Sequence, residues 1–531
     1  MTDRHDSNDD AEHPPADGDT ADEVRATVPE DRGESGTRTL AKQGSITFGG
    51  DFVKKLFGFV IIAVITRLVS PGIYGLFVLA SSLILFIQTL AGLGLPRAVD
   101  YFVPQYLVKD DKERARGVVI TVFAIVLVSS TLVVAGVVWS RHHVAALFDE
   151  PALGLALLLL AVTLPMLAIY NVLLASFNAI KQLKYRVYMR DFVRPTTRLL
   201  VTTALLLAGY GLIGIVVGYI VGLLVAMAVG ALLLLRNAPY LVRGPVKRVP
   251  SKPLFWYATP LAVAGLIYVI LGQIDYFVIG YFATSEDVGI YRVGYMLAAN
   301  LLIVFTAISP VFKPLIAEVR LKDDLVQRHY RTATRWVAGL TLPLAITLSL
   351  GASAYLSLIF TDQYAAATVA VGILAAGYLI NVTCGGPDGA LLQGLGYSKL
   401  VFLNTSLLLG TNLVGSVLLV PRYGITGAAI ATASALTIAG VASVVEVYVT
   451  RRIHPFTRDL AKLFVAAAPA TLAGAALVSV APRILVAVFL PVVVVGVYAG
   501  GLVTLDAFTD EDVSFAAELS PRARDIVASL S

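Results

Sequence analysis

A few ionisable side chains stand inside or at the ends of long apolar runs, where a charge is expensive. Arg67 follows "FVIIAVIT", Asp275 interrupts "GQIDYF", Arg292 lies in "VGIYRVGYML" and Glu446 in "ASVVEVYV". Asp51, Lys54 and Lys55 stand early in the first apolar run, and Arg97 and Asp100 come just after "AGLGLP". A charge within a lipid-spanning helix costs about 2.5–3.5 kcal/mol on insertion scales, so it meets a partner or faces a wet cavity. A guanidinium in such a place suits phosphate, because its fork donates paired hydrogen bonds and stays charged when partly desolvated. A carboxylate there binds a proton or a sodium ion, or pairs with an arginine. Each residue also has a plainer reading. Arg67 then snorkels to headgroups, Arg292 pairs with Asp275 or Asp287, Lys54 and Lys55 anchor the interface, and Glu446 reaches Arg451 or Arg452.

Other chemistry has little to stand on. Cys384 is the single cysteine, which excludes an intramolecular disulfide and any multi-cysteine metal site. His142 and His143 are adjacent and read as interfacial polar residues, so no metal site is expected. Nothing matches the phosphate-binding pattern GxxxxGK[ST], so ATP hydrolysis by this chain is not expected. Neither a catalytic residue nor a cofactor is expected beyond coupling to H+ or Na+, for which Asp275, Glu446 and Asp51 are the candidates.

The elements that position these charges follow from composition. Of 531 residues, 57% are hydrophobic and 15% charged, whereas soluble domains run near 45–50% apolar and about 25% charged. Runs of about 20 apolar residues, long enough to cross the roughly 30 Å hydrocarbon layer, recur from residue 46 to 503. The fold class expected is an all-α integral membrane protein of about fourteen transmembrane helices. They fall near 48–69, 72–95, 117–140, 152–175, 191–209, 212–235, 254–274, 288–309, 333–355, 365–385, 398–420, 425–448, 459–480 and 482–504. Loops after even-numbered helices, with Arg194 and Arg198 counted among them, hold twenty-seven basic residues and the others four. That bias puts both termini in the cytoplasm of a multi-pass cell-membrane protein. The first 36 residues carry twelve Asp or Glu against three Arg, which reads as a disordered acidic tail and not as a cleavable leader.

The chain also echoes itself. "YGLF" at 74–77 returns as "VGIY" at 288–291, "KQLKY" at 181–185 as "QGLGY" at 393–397, and "YGLIG" at 210–214 as "YGITG" at 423–427. Three matches in chain order at nearly one offset mark a duplicated unit of six helices. An even-numbered unit returns the chain to its starting side, so the copies are parallel, related by an axis along the membrane normal. Repeats of that kind build transporters with the substrate site between the halves. The expected organisation is an acidic tail (1–45), a first six-helix bundle (46–235), a basic linker (236–253), a second bundle (254–448), two appended helices (449–504) and a C-terminal tail (505–531).

The phrases "ITRLVSPGIYGLF…LAGLGLPRAV", "QIDYFVIGYFATSEDVGIYRVGYML" and "PRYGITGAAIAT" resemble the polysaccharide flippases of the MATE/MOP superfamily over roughly residues 45–500. That family includes the Wzx-type translocases and archaeal relatives in protein N-glycosylation, with the lipid II flippase more distant. The resemblance implies alternating access, with a polyprenyl- or dolichyl-linked sugar carried from the cytoplasmic leaflet to the outer one between two six-helix bundles. Membrane lipids, glycosylation or polymerisation machinery and a monomeric state belong to the same expectation; nucleic acid does not. It implies cationic cavity residues on the first, second and eighth helices, hence Arg67, Arg97 and Arg292, with Asp275 as the acidic member. Relatives often carry the eighth-helix arginine a turn later, where Tyr295 stands. Three rival readings stay open: a cation-coupled drug or metabolite antiporter of the same superfamily, a membrane-embedded glycosyltransferase or polymerase, and a passive lipid scramblase. Against the second, the outer loops are short and contain no DxD.

Overall fold

The computed structural model describes residues 53–384 and 386–507, and among them every regular element is helical. Asp51 and the acidic tail at 1–45 lie outside the described residues, and of the tail at 505–531 only the first three residues fall within them. The first helix, α1, covers 53–68. Ser70 then turns the chain and caps α2 (Pro71–Ala91), accepting from Ile73 N, with proline at the first helical position where no donor is missed.

The sequence reading ran this second helix to residue 95, with Arg97 and Asp100 at its inner end. The structure corrects that. Leu93 and Gly94 adopt φ of 50° and 67°, and Pro96 starts a separate short helix, α3 (Pro96–Val108). Glycine is required at 94, because a Cβ there would lie 2.6 Å from the Ala258 carbonyl.

The first half continues with α4 (Lys112–Leu147), α5 (Pro151–Ala161), α6 (Thr163–Ala179), α7 (Leu183–Val187), α8 (Arg194–Leu207) and α9 (Gly211–Asn237). A π-helical turn at Tyr188–Val193 joins α7 to α8. The segment 238–250 lies over the start of α4, where Arg116 donates to the Pro245 carbonyl and Lys247 N to Glu113 O at 3.3 Å. The second half contains α10 (Ser251–Phe282), α11 (Ser285–Ala299), α12 (Leu302–Val319), α13 (Asp323–Tyr355), α14 (Thr368–Cys384), α15 (Gly386–Gly394) and α16 (Ser398–Arg451). Two further helices follow, α17 (Arg458–Val480) and α18 (Arg483–Thr504). Thr284 and Asp287 open α11 with a reciprocal capping box.

This is a multi-pass membrane protein. Among the described residues nine helices are long and apolar enough to cross a bilayer, or eleven if two bent pairs each make one span. The bends are 41° between α5 and α6 and 48° between α11 and α12. The count of fourteen is not established. Of α1 only 16 residues are described, α8 is continuous with α7 through the π turn but begins among charges, and the 54 residues of α16 would measure about 81 Å if straight. Instead α16 breaks at Gly424 (φ 55°, ψ −135°), just past Pro421, into arms 398–423 and 425–451.

The halves share a core at one end, and at the other, among the described residues, they meet only through the start of α10. Near the "SPG" and "ATSED" turns, residues of α2, α5, α10, α11, α13 and α14 form one continuous apolar cluster. There α2 and α11 touch backbone to backbone. A Cβ on Gly75 would overlap the Ser285 carbonyl, and one on Gly289 the Pro71 carbonyl. These two glycines are the ones aligned by the sequence echo. At the opposite end each half has its own cluster, one of α3, α4, α6 and α9 with the start of α10, the other of α12, α13, α15 and α16. The last two helices pack on α13.

Candidate functional site

Three cavities lie in a row along one face of α2. Tyr74, Phe77, Ser81, Leu85 and Gln88 recur at helical spacing and line them in turn. From Tyr74 to Gln88 the row extends about 21 Å. The central cavity, about 310 Å³, sits where the halves meet and is lined by Arg198, Tyr219, Gln273 and Arg292 besides residues of α1 and α2. The middle one, about 190 Å³, shares Tyr219 with it and is lined by Arg194 and Asn171. The third, a vestibule of about 270 Å³, shares Gln88 and Asn171 with the middle one and is lined by Arg97, Asp100, Asn178 and Arg186.

The central cavity is cationic and its arginines are held by aromatic rings. Arg292 Nη1 donates to Tyr276 Oη at 2.7 Å, with the guanidinium 5.3 Å from that ring's centre. Arg198 lies over Phe77 and Tyr219 at 5.6 and 5.0 Å, and its buried Nε has no hydrogen-bond partner among the described residues. Arg194 donates to Tyr219 Oη at 3.0 Å and also lies over Tyr170. The nearest acid in the chain, buried Asp191, is taken by Arg190 at 2.7 Å. No ion pair holds Arg194, Arg198 or Arg292 among the described residues. Cation–π contact offsets part of the desolvation while leaving the charge un-neutralised.

Sequence reasoning counted Arg194 and Arg198 with a basic loop, although they fall within the helix expected at 191–209. They are helical and face cavities, and the signal was present in "RDFVRPTTRLL", where Arg190, Arg194 and Arg198 recur every four residues and so share a helix face.

Asp275 sits behind this wall. Its Oδ2 accepts from Tyr291 Oη and from Thr432 Oγ1, both at 2.8 Å, and its Oδ1 from Asn412 Nδ2 at 3.1 Å. Ser416 Oγ in turn donates to Asn412 Oδ1 at 3.2 Å. These partners come from α11 and from both arms of α16. The alternative pairing of Arg292 with Asp275 or Asp287 is therefore not made. Consecutive residues of α10 and α11 cross over instead, Asp275 meeting Tyr291 and Tyr276 meeting Arg292, while Asp287 is spent on the Thr284 cap.

The remaining candidates fall elsewhere. Arg67 does not line these cavities. Its Nε donates to Ile359 O at 2.8 Å and its Nη2 to Leu358 O, so it ties α1 to the π-helical turn Leu356–Phe360 of the second half. Carbonyls at a helix end lack intrahelical donors and attract a cation. Arg97 Nη1 donates to Leu261 O of α10 at 2.7 Å. Burial pushes the nearby Asp100 carboxyl up from its ordinary range, against the lowering pull of Asn178 and of the Arg186 and Arg97 charges. Glu446 does not reach Arg451 or Arg452. It accepts from Asn404 at 2.7 Å, while Arg451 pairs with Asp323 at 2.8 Å and Arg452 lies over Tyr448.

Known proteins place this arrangement in context. The family model described as "Polysaccharide biosynthesis protein" matches residues 64–369. The teichuronic acid biosynthesis protein TuaB of Bacillus subtilis (strain 168) is 27% identical over 177 residues, 33% of this chain and 34% of its own. The probable flippase AglR of Haloferax volcanii is 27% identical over 176 residues, 32% of this chain and 37% of its own. The chain thus spans only about a third of the length of these relatives. Among solved structures, the lipid II flippase MurJ in an inward closed conformation superposes with a TM-score of 0.69 at 13% identity, over 86% of this chain and 97% of that one. An inward-facing multidrug resistance MATE family transporter of the MOP superfamily does so at 0.62 and 12%, over 75% and 94%. At such identities the likeness concerns the fold alone.

Proposed function

The chain belongs to the polysaccharide biosynthesis protein family, and from that premise we propose that it flips a polyprenyl- or dolichyl-(pyro)phosphate-linked sugar from the cytoplasmic to the outer leaflet. One observation carries the reading: Arg198 and Arg292 line a single cavity between the halves, and among the described residues no carboxylate pairs with either. A bilayer-embedded pocket that keeps its positive charge suits an anionic headgroup. A cation antiporter would be expected to line it with acids.

In this reading the phosphate sits between Arg198 and Arg292, and the lipid tail stays in the bilayer. The halves are held together at the outer end, where Arg67 and the Gly75–Gly289 contact lie, and the inner end is the open one. Both termini are then cytoplasmic. Asp275 is the coupling residue, binding H+ or Na+ among neutral ligands from three helix segments. Arg67 serves as a latch between the halves, and Arg97 orients the inner vestibule.

The test is the sidedness of the lipid-linked sugar in cells lacking the gene, read by membrane-impermeant oxidation of intact vesicles. Accumulation of the fully built glycolipid on the cytoplasmic face, with less surface glycan, is the expected result. A truncated or missing glycolipid would assign the protein to synthesis instead, and an unchanged distribution would favour the antiporter.

A further inference from the structure

The vestibule differs in kind from the central cavity. Its lining carries three neutral amides, Gln88, Asn171 and Asn178, with the carboxylate of Asp100. The buried oxygens Asp100 Oδ1 and Asn178 Oδ1 have no hydrogen-bond partner among the described residues. Two guanidiniums line it as well: Arg97 binds the Leu261 carbonyl, and Arg186 sets its charge near Asp100. Gly265 keeps the facing wall of α10 bare, where a Cβ would lie 3.6 Å from Arg97 Nη2.

Acceptor oxygens require donors. A phosphate brings only acceptors, which cannot satisfy the open oxygens of Asp100 and Asn178. A sugar brings hydroxyls that both donate and accept, which is what a carboxylate beside amides can read. A cavity of about 270 Å³ is small among ligand sites, large enough for a terminal sugar and not for a whole glycan. It also lies in line with the arginine cavity, because each of the three spaces shares lining residues with the next along α2.

We infer that the vestibule is a sugar subsite in which Asp100 and Asn178 accept hydrogen bonds from vicinal hydroxyls of a neutral pyranose, while Asn171 and Gln88 adapt to its other hydroxyls. Together with the arginine cavity it reads the cargo in two parts, anion at one end and carbohydrate at the other. The inference rests on the proposal that the cargo is a lipid-linked sugar.

The experiment compares two synthetic probes on the purified full chain in detergent, a fifteen-carbon prenyl diphosphate and the same lipid carrying one neutral hexose. The wild type is expected to bind the hexose-bearing probe more tightly. Asp100→Asn, which keeps the side-chain shape, should weaken that probe about tenfold and leave the bare diphosphate unchanged. Asn171→Ala, a substitution away from the acid, should show the same selectivity at smaller size. Equal wild-type affinity for the two probes, or equal weakening of both by Asp100→Asn, would overturn the sugar subsite while leaving the flippase reading intact. Wild-type protein that binds neither probe would overturn the flippase reading itself.

Discussion

Two polar regions lie back to back across α10 and α11, and they solve the burial of charge in opposite ways. On the cavity side, Arg292 and Arg198 rest on the rings of Tyr276, Tyr219 and Phe77. On the other side, Asp275 is enclosed by Tyr291, Thr432 and Asn412. A guanidinium and a carboxylate one residue apart in their helix contacts do not pair. A buried ion pair would satisfy both and leave neither able to act, whereas neutral partners solvate each charge without cancelling it. On the proposed reading, the cationic face is kept for an anion and the acidic knot for a cation.

The largest expected effect attacks the cationic face. Arg198→Gln and Arg292→Gln each remove a charge-assisted contact of about 1.5–3 kcal/mol to a bound phosphate, roughly 10- to 100-fold in affinity. The double variant should lose most binding of a prenyl diphosphate, measured on purified protein, while its melting temperature stays near the wild type. Unchanged binding in the double variant would break the contrast at its centre. Next comes the acidic knot. Asp275→Asn preserves shape, so diphosphate binding should hold, while transport into proteoliposomes falls about tenfold and no longer responds to a proton or sodium gradient. The control is Thr432→Val, which removes one neutral donor from a buried carboxylate and should cost about 1–3 kcal/mol of stability. If both substitutions act through stability alone, Asp275 is a structural knot and nothing more.

What the sequence made legible follows from what a linear pattern encodes. Asp275 and Arg292 stood out because each interrupts an apolar run, and the echo of "YGLF" in "VGIY" pointed to the glycines that meet at the closed end. Arg198 was hidden because its helix, expected over 191–209, starts among charges, so its arginines were counted with the basic residues of the preceding loop. Its orientation also depends on the π turn at Tyr188–Val193, which shifts the helix face and leaves no sequence mark of its own. The crossing of Asp275 to Tyr291 and Tyr276 to Arg292 needed the relative rotation of two helices, which no single-chain periodicity supplies. The turn before α3 was missed for a plainer reason: "AGLGLP" is apolar enough to pass for the end of a span, although its glycines and proline are turn residues.

The smallest effects lie outside both regions and test whether the contrast is confined to them. Arg67 bridges the halves by two bonds to carbonyls, and it is exposed, so Arg67→Gln should shift the closed-to-open balance by only about 1 kcal/mol, roughly fivefold. With Cys384 replaced by alanine, a cysteine introduced at Leu358 should then react about fivefold faster with an impermeant maleimide. A rate that does not change would remove Arg67 from any role in closure. Glu446 sits on the second arm of α16 about four turns beyond Thr432, and the only described bond to its carboxylate is from Asn404. Glu446→Gln keeps an acceptor for that amide, so transport and ion dependence should stay within about twofold of the wild type. Because Glu446 and Asp275 are both carboxylates with an asparagine partner, a matching loss of ion dependence in both variants would show that coupling is spread along α16 and not concentrated in the enclosed acid.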